Sequence, residues 1–174
     1  MLMFLILALI PLSDDNDTKA GPEVGKPIPE LKLVQIHGEH AGKEVDAREL
    51  AKTPSTIFVT VRKDKWDRPV ARVLKQLDEA VAKQDNKAQI VIIWVSKDAD
   101  HAREYLPKAQ QSLKLSASSW NHFHGEVYDA AGWQLSGDGP LNIIIAKAGK
   151  AQWGRAFATV DEKIVGKVTE ALAK

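Results

Sequence analysis

Long apolar runs alternate with helical periodicity in the middle of the chain. Residues 56–61 and 90–95 are almost entirely β-branched or aromatic, which is typical of strands that are covered on both faces. Between them, apolar residues at steps of three and four over residues 69–83 predict a helix with one apolar face. Residues 141–146 form a third apolar run and predict a third strand.

Shorter elements are predicted on either side of these runs. The pattern over residues 31–36 predicts a short strand, and Asp46 is expected to cap a brief helix over residues 47–51. After the third strand, residues 152–158 are predicted to be its hairpin partner. Residues 161–173 have apolar side chains on one side and predict a closing helix.

The stretch before the third strand is less regular. Asp98 or Asp100 is expected to begin a helix. Pro107 is expected to open a separate segment over residues 108–113, because a proline inside a helix removes a hydrogen bond. Residues 116–138 show no clear period and are predicted to be irregular.

The predicted order of elements is β, α, β, α, β, β, α after an N-terminal extension. Parallel strands joined by helices and followed by an antiparallel hairpin predict an α/β domain, in which helices flank both faces of a mixed β-sheet. The length of 174 residues and the hydrophobic content of 44% suit one such domain with a tail. We expect this domain to occupy residues 24–174.

The N-terminal extension has two parts. Residues 1–12 carry no charge, and they are too few to span a bilayer as a helix. They fit the apolar region of a secretory signal peptide, although no basic residue precedes them; the alternative is an uncleaved apolar tail or anchor. Residues 13–23 are polar and acidic and are predicted to be a linker. A signal peptide would imply a periplasmic or secreted protein.

The composition excludes several functions. The chain has 24 basic and 23 acidic residues and a net charge of +1, so its charge does not favour binding to DNA or RNA. It has no cysteine, which excludes disulfides, thiolate metal sites and cysteine nucleophiles. We find no phosphate-binding loop, nucleotide fingerprint or Ser–His–Asp motif, and we predict no cofactor and no catalytic residue.

A pentapeptide stands between the first buried strand and the first long helix. It consists of Trp66, Asp67, Arg68, Pro69 and Val70. This phrase resembles the Trp-Cys-x-Pro-Cys motif that thioredoxin-like proteins carry at the same place. Tryptophan and proline match the motif, whereas Asp67 and Val70 stand where the two cysteines would be.

Three further landmarks support this resemblance, which covers about residues 24–174. Pro140 directly precedes the third strand, where thioredoxin-like proteins place a cis-proline. The turn at residues 148–150 is similar to the Asp-x-Gly-Lys turn of the redoxin (AhpC-TSA-like) branch, and residues 24–29 are similar to the opening of that branch. The resemblance implies a thioredoxin-like fold.

The missing sulfurs change what the resemblance implies about activity. Redox chemistry on this fold needs a thiolate at a helix N-terminus and a second thiol that resolves the mixed disulfide. The chain contains neither. We therefore predict a redox-inactive binding or structural module, and the antioxidant activity that a redoxin label suggests is not supported by the residues.

Asp67 admits a structural and a functional interpretation. Its carboxylate is expected to cap the helix that follows, as aspartate commonly does. The functional hypothesis is that Trp66, Asp67 and Pro140 line a surviving groove, because active relatives hold peptide substrates on this surface. A protein or peptide would then be the partner.

His122 and His124 are the remaining candidates for chemistry. Their spacing would place two imidazoles on one side of an extended segment, and imidazole suits zinc, copper and nickel. A non-thiol metal carrier or enzyme using this pair and Asp67 is thus the alternative function. Two histidines are fewer than the three or four ligands of a typical site. Trp120 and Trp133, in the same irregular stretch, would indicate a partner surface if exposed.

Overall fold

The structure is a computed structural model that describes residues 17–84 and 88–174. The apolar residues 1–12, predicted to be a signal peptide or tail, lie outside the described residues. Within the described ranges, no helix has both the length and the apolar character needed to cross a membrane.

One mixed sheet organises the described chain. Its strands lie in the order β1-β8-β7-β4-β5-β6-β2-β3. The three predicted apolar runs correspond to three neighbouring strands near its centre, and their bounds differ from the predictions by at most two residues. The eight strands are β1 (Thr18–Lys19), β2 (Lys32–His37), β3 (Glu44–Asp46), β4 (Ser55–Arg62), β5 (Ala88–Ser96), β6 (Ser118–His124), β7 (Leu141–Lys147) and β8 (Lys150–Phe157).

The central strands pair in both directions. β4 runs parallel to β5, with Val59 opposite Ile92, and antiparallel to β7, with Val59 opposite Ile143. β7 and β8 form the predicted antiparallel hairpin. Because β4 has a partner on each edge and is covered on both faces, its apolar side chains are fully buried.

In the described part of the chain, four α-helices cover the sheet unevenly. They are α1 (Ala47–Leu50), α2 (Arg68–Ala82), α3 (Ala99–Leu113) and α4 (Lys163–Ala173). The three longer helices share one apolar core with side chains such as Val59 and Ile92. On the other face, α1, the short 3-10 turn Val127–Asp129 and the segment around Ile28 pack against Phe58. The prediction of an α/β sheet with helices on both faces is confirmed, with most of the helical mass on one side.

Strand β6 lies in the stretch that the sequence predicted to be irregular, so that prediction was wrong there. β6 runs parallel to β5, with Trp120 opposite Ile92 and His122 opposite Trp94, and it also pairs with β2. The sequence of β6 is polar, so it has no apolar pattern that would predict a strand. Asn121 and His122 are nevertheless buried, because the fold supplies hydrogen-bond partners for them.

Helix α3 continues through Pro107, which corrects the prediction of two segments. Asp98 caps its start by accepting from the His101 N–H at 2.9 Å. Pro107 is exposed, so the carbonyl that loses its intrahelical donor can be hydrated by water. The buried side chains of Ala102 and Leu106 hold the helix against the sheet on the opposite side.

Strand β1 falls inside the predicted linker 13–23. Thr18 lies opposite Ala156 of β8, and Lys19 lies opposite Arg155. The sheet therefore extends further toward the N-terminus than the predicted domain start at residue 24. β1 pairs with the edge of β8 through backbone hydrogen bonds. Because these bonds do not involve side chains, β1 needs no hydrophobic pattern in its sequence.

Candidate functional site

Asp67 caps α2. Its backbone is extended, and its carboxylate accepts a hydrogen bond from the Val70 N–H at 3.0 Å. Pro69 stands in the first turn of the helix, where a missing N–H costs nothing. The predicted N-cap is confirmed, and such a cap contributes roughly 0.5–2 kcal/mol to stability.

Val70 points into the core rather than toward the surface. Its side chain is fully buried among apolar residues of α2 and the sheet. The second cysteine position of the motif is therefore filled by an ordinary core residue. Arg68, which lies between Asp67 and Val70 in the sequence, is exposed.

Trp66 is held in place by a group of aromatic side chains. Its indole Nε1 donates a 2.7 Å hydrogen bond to the hydroxyl of Tyr105 on α3. Its ring meets Trp94 and Trp120 edge-on, with centroids 5.5 and 5.9 Å apart. Trp94 and Trp120 are buried, so this half-buried tryptophan is anchored to the core and oriented by one polar contact.

A groove of about 460 Å³ lies beside Trp66, between the start of α2 and α3. Small and apolar side chains form much of its wall, and charged side chains also line it. Lys108 pairs with Glu104 at 2.9 Å, and this hydrogen bond lowers the pKa of Glu104. The residues that line the groove are Trp66, Asp67, Arg68, Ala71, Tyr105, Lys108, Ala109, Ser112 and Leu113.

Pro140 is not among the residues that line this groove. It directly precedes β7, and the peptide bonds of the described residues, including the one before Pro140, are trans. The predicted trio is therefore brought together only in part, as Trp66 and Asp67. At the neighbouring Gly139, a Cβ would lie 2.2 Å from the Phe157 carbonyl oxygen, so backbone packing requires glycine there.

His122 is buried and engaged with Ser96. Its Nε2 lies 2.9 Å from the Ser96 carbonyl oxygen and 3.1 Å from the Ser96 hydroxyl. Burial lowers the pKa of His122, which favours the neutral imidazole. The spacing does place the exposed His124 beside it, with ring centroids 6.0 Å apart.

Within the described residues, no further metal ligand joins His122 and His124. Across residues 17–84 and 88–174, no three His, Cys, Asp or Glu side chains are grouped so that they could hold a metal ion. Asp67 lines the groove at α3, and its carboxylate accepts from the Val70 N–H rather than from an imidazole. In the described part of the chain, Asp67 and the two histidines therefore do not form a common site for the alternative function.

The two tryptophans considered for a partner surface belong to the core. Trp120 and Trp133 are both fully buried, and Trp133 packs edge-on against Phe58 with centroids 5.2 Å apart. They therefore offer no surface to a partner. The sequence analysis missed Tyr105, whose partner Trp66 is 39 positions away; its only sequence signal is its place on α3.

Asp78 is a second residue that the sequence analysis missed. It lies within the apolar face of α2 and is 2% exposed. Its carboxylate accepts from the backbone N–H groups of Ser116 and Ala117 at 2.8 and 2.9 Å, and from the Ser118 hydroxyl. Because these donors belong to the segment between α3 and β6 and to the first residue of β6, we assign Asp78 a structural role.

Comparisons with known proteins show similarity at the level of the fold. No protein-family profile and no curated protein sequence matches the chain. Among solved structures, a peroxiredoxin-like protein from Aquifex aeolicus is 18% identical, with a TM-score of 0.58 over 88% of this chain and 91% of that one. A DsbF homologue from Corynebacterium diphtheriae is 12% identical, with a TM-score of 0.60 over 92% and 95%.

A third similar structure is a secreted thiol-disulfide isomerase from Corynebacterium glutamicum, 9% identical, with a TM-score of 0.61 over 100% of this chain and 99% of that one. Together these similarities establish the thioredoxin-like fold that the resemblance implied. The chain carries that fold without a cysteine, so it cannot perform thiol–disulfide exchange or thiol-based peroxide reduction.

Proposed function

We propose that this chain is a redox-inactive thioredoxin-like module that binds a polypeptide segment in the groove beside Trp66 and Asp67. The observation that carries the proposal is the anchored Trp66. Its hydrogen bond to Tyr105 and its contacts with buried tryptophans keep the wall of the groove rigid. Both positions expected to carry sulfur hold other residues. A preorganised wall lowers the entropic cost of binding.

The lining of the groove favours a ligand of mixed character. Ala71, Ala109 and Leu113 offer apolar contacts, while Arg68 contributes a positive charge. The volume of about 460 Å³ falls within the range of roughly 300–1,000 Å³ typical of small-ligand sites. A short peptide stretch with an apolar side chain next to a carboxylate matches this arrangement.

The N-terminus of α2 contributes to the groove mainly through shape. The Asp67 carboxylate already accepts from the Val70 N–H, so this end of the helix is capped and negatively charged. An anionic ligand group would therefore be repelled there and attracted toward Arg68, because Lys108 is already paired with Glu104. This difference gives a bound peptide a preferred direction.

Chemical-shift mapping with a blocked Glu-Leu-Phe-Glu tetrapeptide tests the binding proposal. We expect shifts at residues 66–71 and 105–113. Ala71→Leu fills the groove with a good helix former and should abolish them. The matched control Ala82→Leu changes an exposed alanine at the end of the same helix and should leave them intact. Shifts that persist in Ala71→Leu, or that map elsewhere, would show that the peptide does not use this groove.

We also propose that the protein is exported to the periplasm or secreted. The apolar residues 1–12 support this, and one protein with a similar structure is described as secreted. Fractionation of cells that express the full chain, followed by N-terminal sequencing, provides the test. We expect a mature N-terminus beyond residue 12. A cytoplasmic product that retains Met1 would contradict export.

A metal-carrier role for His122 and His124 is the less supported alternative. The Nε2 of His122 already contacts Ser96, and His124 is exposed. Calorimetric titration with Zn²⁺ and Cu²⁺ distinguishes the two functions. We expect no tight site, and any weak heat should disappear in His124→Gln. Stoichiometric binding lost in both histidine variants would favour the carrier instead.

A further inference from the structure

A second groove, with a volume of about 510 Å³, lies between β8 and α4. It shares no lining residue with the groove beside Trp66. Four basic and two acidic side chains stand in its wall. The residues that line it are Asp17, Lys147, Gln152, Trp153, Arg155, Lys167, Glu170, Ala171 and Lys174.

The register of the hairpin places Lys147, Trp153 and Arg155 on one face. Trp153 lies opposite Ile145, and Arg155 lies opposite Ile143; both isoleucines belong to the core beneath α2 and α4. Lys147 follows Ile145 at the same alternation. The guanidinium of Arg155 is 5.7 Å from the centroid of the Trp153 ring, a cation–π arrangement that holds it at the floor of the groove.

The charges in this groove do not cancel. Lys167 pairs with Asp17, and Lys174 pairs with Glu170 at 2.8 Å. For Lys147 and Arg155, no carboxylate partner occurs within residues 17–84 and 88–174. Arg155 donates to the Gly154 carbonyl at 2.9 Å, which leaves most of its N–H groups for a ligand. Among the described residues, this groove therefore carries two positive charges without a carboxylate partner, in a chain whose net charge is +1.

We propose that this groove binds a small organic phosphate ester. A phosphate monoester carries about −1.5 to −2 charges at pH 7, which matches the excess carried by Lys147 and Arg155. The guanidinium fork suits two phosphate oxygens, and the lysine ammonium supplies a mobile point charge. The volume of about 510 Å³ accommodates a ligand of roughly mononucleotide size, with its organic part against Trp153 and Gln152.

Calorimetry and indole NMR with adenosine monophosphate test this proposal, with neutral adenosine as the matched ligand. We expect the monophosphate to bind and to shift the Trp153 indole signal, which Trp153→Phe identifies. Arg155→Gln and Lys147→Gln should each weaken binding roughly tenfold. Lys75→Gln removes the same charge from an exposed position on α2 and should leave binding unchanged. Raising the salt concentration should weaken binding.

Three outcomes would overturn the proposal. Equal binding of adenosine would show that the phosphate is not recognised. Equal weakening by Lys75→Gln would reduce the effect to net charge. Unchanged binding in both Arg155→Gln and Lys147→Gln would place the ligand elsewhere. Because Arg155 packs against Trp153, circular dichroism checks the fold of each variant, and Lys147→Gln supplies the decisive measurement if Arg155→Gln is misfolded.

Discussion

The Trp66 indole donates a 2.7 Å hydrogen bond to the Tyr105 hydroxyl, which joins the segment before α2 to the middle of α3. The two residues are 39 positions apart, and both line the groove that we propose as the binding site. The bond fixes the orientation of the one motif residue that faces both the core and the groove.

Tyr105→Phe should loosen this contact. Removing the acceptor leaves a half-buried indole N–H without its partner, so we expect a loss of about 0.5–1.5 kcal/mol in the free energy of unfolding. The tetrapeptide should also bind more weakly. Urea denaturation measures the first effect and chemical-shift titration the second. Tyr128→Phe is the control, because Tyr128 is 74% exposed; an equal loss in both variants would contradict the proposed anchoring.

Asp67→Cys tests whether Asp67 occupies the position of the reactive sulfur. A thiol at the start of α2 should have a pKa below its usual value of about 8.5, because the helix N-terminus stabilises the thiolate. The pH dependence of iodoacetamide alkylation measures that pKa. Lys75→Cys, at an exposed position within the same helix, should alkylate with an ordinary pKa. Identical profiles for the two variants would refute the positional argument.

Asp78→Ala should be strongly destabilising. It leaves the backbone N–H groups of Ser116 and Ala117 without the acceptor that they have in the native state. Because two backbone donors and the Ser118 hydroxyl lose their shared acceptor, we expect a loss of about 3 kcal/mol or more in the free energy of unfolding. Thermal and urea denaturation measure it. Glu79→Ala changes the exposed neighbouring carboxylate and should cost little; a similarly small effect at Asp78 would remove its assigned role.

The protein should lose stability in mild acid through His122. Burial lowers the folded-state pKa of His122, so below the unfolded pKa of about 6.5 the unfolded state takes up a proton that the folded state does not. The free energy of unfolding therefore falls as the pH drops through that value, and this contribution is intact above it. The groups that face the imidazole include Ser96, His124 and Arg103.

Urea denaturation at pH 7.5 and pH 5 measures this dependence. His122→Gln removes the titrating group, and we expect it to reduce the loss of stability between the two pH values. His124→Gln, at the exposed neighbouring position, should retain most of the loss. If the two variants behave alike, the acid sensitivity arises elsewhere.

The elements that the sequence predicted well are those stabilised by local or strongly patterned features. The apolar runs of β4, β5 and β7 have to be buried on both faces, and α2 has one apolar face with a capping Asp67 ahead of it. Burial of such runs is the main stabilising term in folding, so their secondary structure can be predicted from the sequence. The motif around Trp66 could also be recognised from the sequence, because its five residues are consecutive in the chain.

The features that were missed depend on neighbours that are remote in sequence. β6 is a strand because β5 and β2 lie on either side of it, and β1 exists because β8 has an edge to cover. Pro107 stays inside α3 because it faces solvent. A backbone group is satisfied by whichever partner the fold brings to it, and no local pattern records that partner.

The sequence alone therefore determined that this is an α/β chain without thiol chemistry, because hydrophobic periodicity and the absence of cysteine need no coordinates. Only the tertiary structure decided which residues meet at the sites. It joined Trp66 to Tyr105, separated Asp67 from the histidines, and gathered Lys147 and Arg155 in a second groove. Such contacts arise when strand order and helix placement bring distant side chains together, and a one-dimensional pattern does not contain that information.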